Sequence, residues 1–572
     1  MREFISKTPI EKGWSEDKKY CVTDAAGNKC MLRVSPAARY ENRRALFEIL
    51  QRVAATGIPM NLPLDFWLSD EGVCMLYSWI DGEDLTEDAL PLLPETEQYV
   101  LGLRAGEILR QIHTIPAPEE QEDWEPRFNR KIDTKIRKYH ECGLRFEGDE
   151  HVLAYIEQNR HLLKNRPQCF QHGDYHANNM MLETHPNEPA GSPGPPGQLR
   201  IIDFDRYDFG DPWEEFNRIV FSAQVSPYFA TGQLRGYFDG DPPMEFFRLL
   251  ALYFATYTLS NITWAIPFGQ SQIDFMMKLN SDILRWYDNM RTPVPSWYKK
   301  DFYVQWVDGV PLKLKTPFDL SFLRKYGKVF KVFDDQDSGN LCFGVEDGGR
   351  CCFIKFAGAP TVRANVNTQE AIDNLKHSVR IYQDLAHPNL IKLIKTEEIG
   401  GGFALVFDWV DAVCMGKQYP HDRRKFMQLP LETRMRAFGE ILDFHAHVTR
   451  QGYVAVDFYD GSILWDCANK KVVICDIDLY QKAPYTNPIG RMWGSSRFMS
   501  PEEFQLGAAI DEVTNVYAMG AMAFALFAGG KREPEAWPLD RTLYEIAKRA
   551  VSDDRNTRWQ SIAQLRDACS MN

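Results

Sequence analysis

The stretch Gln171-His172-Gly173-Asp174-Tyr175-His176-Ala177-Asn178-Asn179, followed by Leu199-Arg200-Ile201-Ile202-Asp203-Phe204-Asp205, holds the residue types that phosphoryl transfer from ATP needs. An aspartate such as Asp174 accepts or orients the proton of an attacking hydroxyl. A carboxamide oxygen (Asn179) and a second carboxylate at the end of an apolar run (Asp203) hold Mg²⁺ against the phosphates of the donor. These are hard oxygen ligands, which suit magnesium. Two other readings compete. His172, Asp174 and His176 form an H-x-D-x-H cluster that could bind zinc in a metal hydrolase, and the stretch could be a polar loop between core elements. A zinc site leaves Asn179 and the strand end at Asp203 unexplained, and the order of loop, strand and aspartate favours kinase chemistry.

The residues His172 to Asn179 resemble the catalytic loop of the aminoglycoside phosphotransferase family, whose fold is that of the protein kinases. Asp203-Phe204-Asp205 stands where that family carries its magnesium aspartate. The resemblance implies ATP and Mg as cofactors, Asp174 as base, Asn179 and Asp203 on the metal, and a small-molecule hydroxyl as acceptor. Which acceptor is not legible, because acceptor pockets come from variable helical segments.

The elements that must position these groups follow from pattern. Residues Lys12 to Tyr20 lead into alternating apolar residues that flank the turn Ala25-Ala26-Gly27-Asn28-Lys29, a β-hairpin. In a kinase-like small lobe the loop before it covers the phosphates, and a cation on its second strand reaches them. Arg33 occupies that place where lysine is usual, keeping the charge and adding bidentate grip. Helical apolar spacing from Arg43 to Val53 places Glu48 as the expected partner of Arg33, with the helix neighbour Arg52 as the ordinary alternative. Met75 to Gly82 resembles the segment that joins two lobes and holds adenine. The acids Asp81, Glu83, Asp84, Glu87 and Asp88 could attract a cationic substrate, although such clusters are usually a solvated face. A helix is expected over Leu101 to Ile115. The Pro/Gly-rich insertion His185 to Gly197 reads as a mobile surface loop with no chemical role. Asp211 opens a helix as its cap and is read as structural. The apolar, aromatic helices of Met244 to Met290 would close the large lobe and could line an acceptor pocket, with core packing the default for any one residue.

The second half repeats the plan. Pro293 and Pro295 mark a boundary, and from Phe318 a second hairpin pattern runs through Val329-Phe-Lys-Val-Phe333 and Leu341-Cys-Phe-Gly-Val345 to Cys351-Cys-Phe-Ile-Lys355. With Asp457-Phe-Tyr-Asp-Gly-Ser462, Val473-Ile-Cys-Asp-Ile-Asp-Leu479 and Gly494-Ser-Ser-Arg-Phe-Met-Ser-Pro-Glu502, this half resembles a serine/threonine protein kinase domain. The resemblance implies Lys355 on the phosphates, Asp457 as base, Asp476 on the metal, and a Glu502–Arg558 ion pair. It also has gaps. Ala455-Val456 replace the family's His-Arg. Ser462 replaces the metal-binding asparagine, and Asp478 replaces a glycine and could make up a lost ligand. Ser378 stands where a glutamate should pair with Lys355, leaving Glu370 upstream. Asp334, Asp335 and Asp337 in the phosphate-covering loop would repel ATP unless a cation intervened. Weak transfer to a protein serine or threonine therefore competes with a pseudokinase that regulates its neighbour, and with a scaffold in which both folds only bind.

At 572 residues the chain exceeds one hydrophobic core, while 44% hydrophobic and 13% aromatic residues are ample for burial. The expected architecture is α+β: two tandem protein-kinase-like bilobal domains at 1–292 and 318–572, joined by a linker at 293–317. A net charge of −13 argues against nucleic acid as a partner. The charged start lacks the apolar core of a signal peptide. The run Val516 to Gly530 is too short to span a membrane, so no membrane partner is expected. Twelve scattered cysteines without a C-x-x-C pair read as reduced thiols of a cytoplasmic protein.

Overall fold

In the computed structural model, which describes residues 4–11, 16–183 and 197–570, the chain divides into two units, Met1–Asp301 and Phe302–Asn572. Each is mixed α and β, with antiparallel sheets followed by many helices. The insertion 185–196 and residues 12–15 of the expected phosphate-covering loop lie outside the described residues.

The first unit begins with β1 (Ser6–Ile10), β2 (Lys18–Thr23) and β3 (Lys29–Ser35), then α1 (Tyr40–Ala55), β4 (Pro63–Ser69) and β5 (Gly72–Ser78). The sheet order is β1-β2-β3-β5-β4. Interior β5 is buried along almost its whole length, and α1 lays Leu46, Phe47, Leu50 and Val53 into the core. Strand β6 (Gly82–Asp84) then pairs with β8 (Met180–Glu183), which pairs with β9 (Gln198–Ile201); between β6 and β8 come α2 (Glu95–Ile112), α3 (Trp124–Glu141), α4 (Asp149–Asn159) and β7 (Cys169–Gln171). Beyond lie β10 (Asp208–Gly210), α5 (Ile219–Val225), α6 (Pro227–Phe238), α7 (Met244–Ala265) and α8 (Gln270–Trp286).

Helices α2 and α6 meet backbone to backbone. A Cβ on Gly102 or Gly106 would sit 2.1 Å from the carbonyl oxygens of Phe229 or Gln233, and one on Gly236 would sit 2.0 Å from that of Leu103. Only glycine permits this approach. Helix α7, extended by its following turn to Phe268, is long and apolar enough to cross a membrane, which the pattern reading missed because Thr256, Thr258, Ser260 and Asn261 interrupt it. It is 78% buried inside the protein, as befits a core helix.

The second unit opens with the hairpin β11 (Tyr303–Val307) and β12 (Val310–Leu314), then β13 (Lys328–Phe333), β14 (Asn340–Asp347), β15 (Arg350–Ala357), α9 (Thr368–Asp384), β16 (Leu393–Ile399) and β17 (Gly402–Asp408). Its sheet order, β13-β14-β15-β17-β16, copies the first. The register is copied too: Arg33 faces Met75, fourth residue of β5, and Lys355 faces Leu405, fourth residue of β17.

The expected linker at 293–317 is corrected by the structure. Trp297 and Tyr298 are buried in the core of the first unit, while Leu312 and Leu314 belong to the apolar cluster around β13 to β15. Prolines break a helix, but here the chain beyond them carries enough large apolar residues to pack on either side.

Candidate phosphotransfer site

In the first unit, residues 172–179 run from β7 to β8 and are tied to the end of β9 through both polar groups of one residue. The Ile202 N–H donates to the Asn179 carbonyl at 3.0 Å, and its carbonyl oxygen accepts from His172 Nε2 at 3.0 Å. Asn179 Nδ2 donates to the Asp174 carbonyl at 2.8 Å, which leaves its amide oxygen available to a cation. Asp203, the next residue after Ile202, holds a left-handed φ of 65° and has no hydrogen-bond or ion-pair partner among the described residues. A free carboxylate and a free amide oxygen fixed to one backbone junction fit Mg²⁺. The zinc reading fails. His172 is fully buried, and its Nδ1 accepts the Asp174 N–H at 3.3 Å. Burial holds that imidazole neutral, and among the described residues no group of three His, Cys, Asp or Glu is gathered for a metal.

Other anchors of the loop escaped the pattern reading. Gly173, at φ +81°, lies so close to the Arg206 carbonyl that a Cβ would stand 1.9 Å from it. The Gly173 N–H donates to buried Glu215 at 3.0 Å, and the Tyr175 hydroxyl donates to the Ala105 carbonyl of α2 at 2.6 Å. In sequence, Glu215 is just another acid in a first turn.

Burial works to raise the Asp174 pKa, but His176 at 3.6 Å, Arg218 at 3.4 Å and Arg206 at 3.8 Å hold it well below the usual carboxylate range. It is an ionised group, suited to orienting a hydroxyl more than to storing its proton. The His176 ring rests on Phe221, 5.2 Å between centroids. Phe221 and Asn178 line an open cavity of about 640 Å³ with Phe275 and Lys278 of α8, Trp286 and Trp297.

The expected Arg33–Glu48 pair does not form. Glu48 is 62% exposed and pairs with Arg44, one helical turn away, at 3.0 Å. Arg33 is instead clasped by Asp205 through two bonds, one of 2.6 Å, and by Asp17 at 2.6 Å. Arg43 of α1 joins Asp17 and lies 3.4 Å from Asp205. Helical spacing showed which residues of α1 are polar but could not tell that Arg43, not Glu48, turns inward. Asp211 is structural as expected, though not as the helix cap, since the short turn Glu214–Arg218 has Trp213 at its N-cap: fully buried, it accepts from Arg166 at 2.8 and 2.9 Å and from the Trp213 N–H at 3.0 Å.

The second unit reproduces the junction. Cys475 N–H donates to the Ser462 carbonyl at 3.0 Å, so Ser462 stands for Asn179 and Asp476 for Asp203, again with left-handed φ, 56°. Ser462 Oγ is buried with no hydrogen-bond partner. Lys355 is held by Asp476 and Asp478, each at 2.6 Å, so Asp478 serves the lysine rather than standing free for a metal; its other oxygen accepts from the Tyr382 hydroxyl at 2.8 Å. Ser378 bonds back to the Leu375 carbonyl, and the Glu370 side chain is exposed at the helix start. The acidic loop does have its cation: buried Lys313 of β12 reaches Asp334 at 3.2 Å and also Asp335. Asp457 has no ion-pair partner among the described residues; burial and neighbouring Asp476 push its pKa up to about 8. The Glu502–Arg558 pair forms at 2.7 Å with Arg558 fully buried.

Residues 7–247 match the family model described as the phosphotransferase enzyme family. The chain is 20% identical to the dual specificity protein kinase zak2 of Dictyostelium discoideum, over 34% of this chain and 34% of that protein. It is 23% identical to a leaf rust 10 disease-resistance locus receptor-like protein kinase-like protein of Arabidopsis thaliana, over 39% of this chain and 32% of that protein. The chain thus spans about a third of the length of these curated relatives. These similarities support a phosphotransferase.

Proposed function

We propose that the first unit is a kinase-like, two-lobed phosphotransferase that uses ATP and Mg²⁺ to phosphorylate a hydroxyl of a small molecule. The observation that carries this reading is the junction at Ile202, which bonds directly to Asn179 and is followed at once by Asp203, while Asp174 hangs from the same loop. Asn179 and Asp203 would hold the metal, whose charge when bound neutralises the phosphate oxygens. Asp174 orients the acceptor hydroxyl and stays ionised. Arg33 supplies the cation on the sheet side, its guanidinium shared between Asp205 and the incoming phosphates. The cavity beside Asn178 and Phe221 receives the acceptor. A cytoplasmic setting is supported by the twelve free cysteines, and the acidic net charge speaks against nucleic acid. Neither membrane nor nucleic acid is part of the reading.

The test is Mg²⁺-dependent nucleotide binding by the full chain. Asp203→Asn should weaken Mg-ATP binding about tenfold or more while leaving metal-free nucleotide binding in place; equal binding by both proteins would refute the assignment.

For the second unit we favour a kinase-like fold acting as a regulatory pseudokinase over transfer to protein serine or threonine. What supports this is a serine in place of the metal-binding amide and an Asp478 spent on Lys355, beside an Asp457 carboxyl with no ion-pair partner among the described residues.

A further inference from the structure

Around Asp174 the first unit gathers positive charge against the acidic balance of the chain. Arg218 and Arg206 approach the Asp174 carboxylate at 3.4 and 3.8 Å, close enough to be ion pairs and too far to be good hydrogen bonds. The Arg206 fork stays open, while Arg218 Nη1 makes one long hydrogen bond to the Tyr257 hydroxyl at 3.4 Å. Arg206 is 57% exposed. Arg218 is fixed by its guanidinium over the Tyr257 ring, 5.3 Å from the centroid. Behind it, α3 presents Lys131 and Lys135, one turn apart, with both ammonium groups over Phe128. Lys131 lies 3.9 Å from Glu214, whose carboxylate also accepts from Asn217 and Gln171. Lys135 forms no ion pair among the described residues; burial, with Lys131 and Arg218 nearby, pushes its pKa down to about 7, and Glu214 offsets this only in part.

Arg206, Arg218 and Lys131, with the partly protonated Lys135 behind them, therefore share two carboxylates, and one of those, Asp174, is committed to the hydroxyl. The cavity next to the loop adds Lys278, Arg285 and Lys299 against Glu87 and Asp282, with Asp282 already bonded to Arg285. Unpaired, partly desolvated cations cost stability; a bound anion would remove that cost. Open guanidinium forks are matched in shape by carboxylates and phosphates.

We propose that the acceptor is an anionic hydroxylated small molecule, bearing a carboxylate or phosphomonoester near its reactive hydroxyl, read by Arg206 and Arg218 with Lys131 and Lys135 behind them. This rests on the phosphotransfer reading above and names its substrate class. An amine-bearing acceptor, the kind that the acidic patch at 81–88 would attract, meets repulsion beside Asp174.

The test uses matched acceptors that differ in charge: glycerol, 3-amino-1,2-propanediol, glycerate and glycerol 3-phosphate, with glucose, glucosamine and gluconate as a second set. ADP release and thermal shift are measured on the full chain with Mg-nucleotide, for wild type, Arg206→Gln and Lys135→Met. The expected result is that only acids raise the melting temperature, that acids show a kcat/KM at least about tenfold above their neutral and amino counterparts, and that both variants erase this margin through KM. Comparing glycerate with glycerol 3-phosphate separates carboxylate from phosphate. The proposal is overturned if neutral or amino members match the acids, if no acid shifts melting, or if the variants lower kcat for every acceptor equally, which would assign Arg206 and Lys135 to the phosphoryl group in flight. Retained Mg-ATP binding without acid preference sinks the charge reading alone; acid-dependent melting shifts without ATP-dependent turnover sink the phosphotransfer reading alone.

Discussion

Two aspartates at equivalent places, Asp174 and Asp457, have opposite surroundings. Both follow a buried β-strand and precede a short turn that ends in a residue bonded to the metal-side strand. Asp174 has two arginines and the His176 ring as neighbours and is held ionised. In the second unit the nearby arginines, Arg423 and Arg497, are spent instead on Asp460, three residues on, at 2.6 and 2.8 Å. Asp457 is left among the acids Asp476, Asp337 and Glu503, which Lys355 offsets only in part, and burial pushes Glu503 up to about 7 as well. Equivalent backbone therefore does not secure equivalent chemistry; the placing of a few guanidinium groups decides which carboxylate carries charge.

The largest expected effect separates the units directly. Asp174→Asn should lower ADP formation by the full chain about 10²–10⁴-fold, and Asp457→Asn should leave it within about twofold; reversed results would move the chemistry to the second unit. Next comes the buried architectural pair. Arg558→Met strands Glu502 in the core and should cost about 3–5 kcal/mol, read as an earlier denaturant midpoint for the second unit with unchanged ADP formation by the first.

A smaller effect concerns pH. In the unfolded chain Asp457 and Glu503 titrate near 4, whereas folded they keep protons to about 8 and about 7. Between those limits the folded state binds more protons than the unfolded, so their contribution to stability falls as pH rises from about 4 to 8. Asp457→Asn should therefore raise the melting temperature of the second unit at pH 8.5 by about 3 °C or more, and by less at pH 5. Asp174 has the opposite sign: its depressed pKa gives stability that is fully present above its unfolded value and is lost only in acid, so Asp174→Asn should show no such trend over pH 5–9. The smallest effect is a test of the corrected pairing. Glu48→Gln should change stability by under about 0.5 kcal/mol and leave ATP affinity untouched, whereas the family-like pairing demands a marked loss of affinity.

Much of this was legible in the sequence. The residue types at 172–179 and 199–205, with their order of loop, strand and acid, named the chemistry, and alternating and helical apolar spacing located the hairpins of both sheets and α1. The prolines after α8 marked the region of the boundary but not its place, because β11, β12 and the aromatic pair Trp297-Tyr298 pack into opposite units. Polarity patterns show which helix positions avoid the core; they do not show which cation turns inward.

What the sequence determined by itself is local: backbone preference, burial pattern, and a set of groups able to hold a phosphate and a hydroxyl. What only the tertiary structure decided is which charges meet. Arg33 finds Asp205, 172 positions away, Lys313, inside the expected linker, finds Asp334, and Arg218 finds Asp174. Coulomb energy depends on distance in space and on desolvation, and neither is set by separation along the chain.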